Sequence, residues 1–88
     1  MNLEVIISCH TQEDIKLAIE QNVNYVTYSP IFTTPNKGVP KGIKDLDNIT
    51  NRFSIPIIAL GGIITKEHIK LIQSTKAYGF SSIRFFLA

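Results

Sequence analysis

Ile55-Pro56-Ile57-Ile58-Ala59-Leu60-Gly61-Gly62-Ile63 is the stretch that decides the fold of this chain. Ile57 to Leu60 is a short aliphatic strand, a glycine pair turns the chain, and Thr65 opens a helical pattern with Ile69 and Ile72 facing inward. The same strand-then-helix sentence can be read twice more. Val5 to Ser8 precedes a helix whose Thr11 hydroxyl can cap while Asp14 reaches back, with Ile15, Ala18, Ile19 and Val23 on one face. Tyr25 to Ser29 precedes a Gly/Pro-punctuated loop and then Ile43, Leu46, Ile49 and Phe53 at helical spacing. Phe80 to Phe86 is a fourth strand-like segment.

Four short strands alternating with three helices imply parallel pairing through crossovers, an α/β architecture. Parallel strands are normally buried on both faces. Three helices cannot cover both faces of an open four-stranded sheet, and a curved sheet with helices only outside leaves its concave face bare. The pattern is therefore part of a barrel, forming one domain over residues 1–88.

Composition narrows the function classes. With 44% hydrophobic and 18% charged residues, the 88-residue chain is apolar for its size, so some of its surface is expected to meet another chain. Nine basic and seven acidic residues are dispersed without an aromatic-laced basic run, so no nucleic-acid partner is expected. The uncharged stretch from Phe53 to Ile64 is broken by Pro56 and Gly61-Gly62 and falls short of the roughly 20 residues a bilayer span needs, so no membrane association is expected either. No secretory leader is legible at Met1-Asn2-Leu3-Glu4-Val5, and a lone Cys9 cannot form an internal disulfide framework. The expected location is cytoplasmic.

In a parallel α/β fold, chemistry collects where strands end and helices begin. Gly61 and Gly62 would let backbone approach a phosphate closely, although a tight turn that needs positive φ and binds nothing reads as well. Arg84 near the end of the last strand could clamp the same phosphate, or snorkel, or pair with Glu13 or Asp14. Lys37, in a loop with Thr33, Thr34 and Asn36, suits a pyrophosphate leaving group or is simply a solvated lysine. Ser8-Cys9-His10 invites a nucleophile-and-base reading, but alternation turns Cys9 away from Ser8 and His10. His10 is expected instead to hydrogen-bond a neighbouring loop. His10 and His68 lie far apart in sequence with no flanking carboxylate pair, so no metal site is expected.

Taken together, Ile7-Ser8-Cys9-His10-Thr11, Asn24-Tyr25-Val26, Ser29-Pro30-Ile31-Phe32-Thr33-Thr34-Pro35-Asn36-Lys37-Gly38 and the Ile55 to Ile63 run resemble the thiamine phosphate synthase/TenI family. The resemblance covers essentially the whole chain and maps it onto the fifth to eighth strands of the family's barrel. It implies half of a TIM-type (β/α)8 barrel, four parallel strands with three intervening helices, and a role in thiamine biosynthesis. In the synthases a hydroxymethylpyrimidine pyrophosphate ionises and the thiazole phosphate nitrogen attacks the cation, with Mg²⁺ assistance. By resemblance, Ser8, Thr34, Asn36 and Lys37 contact pyrophosphate or substrate, Lys37 as the catalytic cation. The same resemblance implies that Gly61, Gly62 and the end of the last strand hold the thiazole phosphate.

Departures accompany the match. Asn36 replaces a usual threonine, Ser29 a usual glycine, and Ile83-Arg84 an aliphatic-serine pair. Pro30 stands where TenI-like thiazole tautomerases carry their catalytic histidine, which speaks against a tautomerase, the third reading. The pyrimidine- and Mg²⁺-binding residues belong to the first four strands, so no cofactor is expected in this chain and the isolated half is expected to be inactive. A second reading is a non-catalytic half-barrel binding a phosphorylated ligand or nothing. The expected partners are a phosphorylated small molecule and either a second copy or a complementary half-barrel. Truncating strand positions such as Ile7 or Ile58 should then dissociate or unfold the protein.

Overall fold

The computed structural model describes residues 4–33, 39–63 and 65–81. The elements follow as β1 (Ile6–Cys9), α1 (Gln12–Glu20), β2 (Tyr25–Tyr28), α2 (Gly42–Arg52), β3 (Ile57–Leu60), α3 (Lys66–Gln73) and β4 (Gly79–Ser81). All strand pairs are parallel and the sheet order is β1-β2-β3-β4. Four parallel strands in sequential order with helices between them are half of a (β/α)8 barrel.

Strand boundaries follow the local hydrogen bonds. β1 starts one residue later than the apolar pattern predicts, because the Val5 N–H donates to Asn24 Oδ1 at 2.7 Å and the ladder begins only at Ile6. β2 ends one residue earlier than predicted, and β3 matches. The strand expected over Phe80 to Phe86 is described only as Gly79–Ser81; its remainder lies outside the described residues.

Caps account for the helix starts. Thr11 accepts the Asp14 N–H at 3.1 Å, and Thr65 accepts the His68 N–H at 3.1 Å. α2 has no side-chain cap; instead the Lys41 and Gly42 N–H groups donate to the Pro30 and Ile31 carbonyls at 2.7 and 2.8 Å. Loop backbone thus satisfies donors that a helix start would otherwise leave open.

One core lies between the helices and one face of the sheet. Cys9, Val26, Tyr28, Ile57 and Ala59 meet Ile15 and Ala18 of α1, Leu46 and Ile49 of α2, and Ile72 of α3. Ile19 does not join them and stays 41% exposed. At 100° per residue it sits about 70° from the centre of the Ile15/Ala18 stripe, on the flank of the helix. Alternation turns Ile6, Ser8, Tyr25, Thr27, Ile58 and Leu60 to the opposite face, which carries no helix among the described residues. Ile7 and Ile58 therefore point to opposite sides: Ile7 packs on the core, Ile58 on the open face.

Candidate functional site

Two loop isoleucines set the geometry at the C-terminal ends of the strands. Ile31, just after β2, and Ile63, just after β3, are both fully buried in the core, worth roughly 1.5–3 kcal/mol each by burial. Between these anchors the backbones run side by side, the Ile31 N–H donating to Leu60 O at 3.0 Å and the Phe32 N–H to Gly61 O at 3.1 Å. The β1–α1 turn joins from the other side, with His10 Nδ1 at 3.1 Å from the Ser29 carbonyl. Three βα loops are thereby drawn to one rim.

Packing explains the glycine pair. Gly61 and Gly62 have φ of +97° and +70°, a region side chains disfavour. A Cβ on Gly61 would lie 2.9 Å from Pro30 Cα, and one on Gly62 2.6 Å from the Thr33 carbonyl oxygen. The backbone that approaches these glycines most closely is therefore the β2–α2 loop. The tight-turn reading accounts for their conformation without a ligand.

His10 takes the part expected of it. A carbonyl only accepts, so the Nδ1 facing Ser29 is the donor of this contact. The His10 N–H donates to Asp14 Oδ2 at 2.9 Å, and that bond, above the others Asp14 accepts, holds the carboxyl below its ordinary range. Cys9 is fully buried, and burial, with the nearby Asp14 charge, pushes its thiol up. A thiol so placed is not a nucleophile at neutral pH.

Of the residues singled out in the sequence, Ser8, Gly61 and Gly62 lie within the described chain. Ser8 is exposed on the open face of β1, with β2 between it and the glycine strand. Thr34, Asn36, Lys37 and Arg84 lie outside the described residues. Sequence reasoning missed the Tyr28 hydroxyl, which donates to Asp45 Oδ2 at 2.6 Å beneath Lys41, whose Nζ lies 5.7 Å from the ring centre. Burial first, then Asp45, raises the Tyr28 phenol far above its ordinary range. The partners are 17 residues apart, on different elements, so no local spacing signals the pair. No group of three His, Cys, Asp or Glu that could hold a metal ion occurs among the described residues. A cleft of about 490 Å³ lined by Asn51, Phe53, Ile55, Lys76 and Tyr78 opens at the opposite end of the sheet, away from these loops.

Fold and rim define a (β/α)-barrel half whose loops gather at the strand ends, the place where such barrels bind their ligands. The family model described as thiamine monophosphate synthase matches residues 2–86, and the chain belongs to that family. It is 39% identical over 88 residues to putative thiamine-phosphate synthase 2 of Aquifex aeolicus (strain VF5), covering 98% of this chain and 47% of that protein. It is also 31% identical over 80 residues to the thiamine-phosphate synthase of Syntrophomonas wolfei, covering 88% of this chain and 38% of the relative. The chain spans less than half the length of these curated relatives. No helix among the described residues is long and apolar enough to cross a membrane.

Proposed function

We propose that this chain serves thiamine biosynthesis in the cytoplasm as the thiazole-phosphate-binding half of a thiamine phosphate synthase-like barrel. One observation carries the reading: a family match over residues 2–86 in a chain whose three described βα loops converge on a single rim. Gly61 and Gly62 line that rim and, with Arg84, hold the phosphate, while Ser8, Thr34, Asn36 and Lys37 face pyrophosphate or substrate, Lys37 neutralising charge as it leaves. Donors of this kind act by stabilising developing negative charge. The 88 residues alone form no thiamine phosphate, because the pyrimidine-binding and Mg²⁺-binding strands of the family are not among them.

Titration calorimetry with thiazole phosphate tests the reading. Binding is expected to be saturable, and Arg84→Ala to weaken it by about 1.5–3 kcal/mol, the range of a charge-assisted hydrogen bond. Unchanged affinity would remove Arg84 from the site, and no heat at millimolar ligand would remove the site itself.

A further inference from the structure

We propose that His68 is a positioning residue for the ligand rim: its ring backs Phe32, and Phe32 holds the Gly61-Gly62 turn in the shape that binds a phosphate. The inference rests on the thiazole phosphate reading and adds His68 to the residues that shape that site. The two rings lie nearly flat on each other, with centroids 4.0 Å apart and planes 14° from parallel. Phe32 belongs to the β2–α2 loop and His68 to the first turn of α3, so the stack bridges two different βα units.

Phe32 meets the 61–68 segment at three points. Its N–H donates to Gly61 O at 3.1 Å, its carbonyl lies over Gly62, where a Cβ would come within 2.7 Å of it, and its ring faces His68. Glycine populates both signs of φ about as readily, so nothing local selects +97° and +70° at this turn; its neighbours must, and Phe32 contacts both glycines. His68 is placed to hold Phe32. The α3 cap uses its backbone, the N–H donating to Thr65 Oγ1 at 3.1 Å, and that cap fixes the helix start from which the ring reaches Phe32. Ile31 is fully buried while Phe32 beside it is half-buried, so the loop is anchored on one side by the core and on the other by the stack. An aromatic pair stabilises beyond the area it buries, and losing one face frees Phe32 to turn away from the glycines.

Amide hydrogen exchange and titration calorimetry on the 88-residue chain test this, with His68→Ala removing the ring and His68→Phe keeping an aromatic face. In His68→Ala the Phe32 and Ile31 amides, bonded to Gly61 O and Leu60 O, are expected to exchange about three- to tenfold faster, the range an aromatic pair contributes. The Val26 amide, bonded to Pro56 O at the other end of β2, should not change. Thiazole phosphate affinity should fall by about the same factor, and His68→Phe should restore both readouts. Acceleration of all three amides together, acceleration of none, unchanged affinity, or a loss in His68→Phe as large as in His68→Ala would each overturn the proposal. If the parent gives no heat at millimolar thiazole phosphate, the thiazole phosphate reading fails instead, and the exchange comparison alone decides whether His68 holds the loop.

Discussion

Gly62 carries the tightest steric constraint of the rim. An alanine there would combine a φ of +70° with a Cβ 2.6 Å from the Thr33 carbonyl oxygen, and that neighbour is backbone, which cannot swing aside. Gly62→Ala is expected to cost about 1–3 kcal/mol in chemical denaturation, the range of enforced backbone strain. Asp14 makes a pH prediction. Its carboxyl is held down mainly by the His10 N–H, so its folded pKa lies below the unfolded value and its stabilisation is present above about pH 4. That contribution is lost as pH falls through the folded pKa. In acid titrations followed by circular dichroism, Asp14→Asn should therefore be less stable than the parent at neutral pH, and the difference should close below pH ~4. Both residues were legible as a turn and a helix start. Neither the loop pressed on the glycine nor the bond reaching back to His10 was, because each depends on where a second segment lies.

Between elements, the Tyr28–Asp45 bond ties the end of β2 to the first turn of α2, a helix that lacks a side-chain cap of its own. Tyr28→Phe keeps the ring and removes the donor, leaving a part-buried carboxylate short of a partner at an expected cost of about 1–2 kcal/mol. The sign of its alkaline limb is also set. Because burial and Asp45 raise the folded phenol's pKa, the parent keeps this stabilisation below about pH 10 and loses it as pH rises towards the folded value. The stability gap between parent and Tyr28→Phe should then narrow above pH ~10, which urea titrations across that range would show. Element types and order were readable because hydrophobic period and capping are local. The Thr11 and Thr65 caps and the β3 strand emerged as expected, whereas Ile19 was placed on a buried face that proved too narrow to hold it.

At the scale of the whole molecule the two faces of the sheet make different demands. Ile7 packs on the helix-covered core, so Ile7→Ala should lower unfolding free energy by about 2–4 kcal/mol at any protein concentration. Ile58 points to the other face, away from the helix-covered core, so Ile58→Ala should cost less than Ile7→Ala in the same denaturation experiment. The sequence had grouped these two positions together; strand register separates them, since a one-residue step reverses the side chain. By itself the sequence determined the α/β class, the run of strands and helices, the family and the three βα loops, because period, caps and motif spacing are written along the chain. Tertiary structure alone decided that the glycine pair is shaped by the β2–α2 loop, that Tyr28 meets Asp45 and which loop carbonyl His10 holds. Those depend on contacts between segments distant in sequence, which only packing brings together.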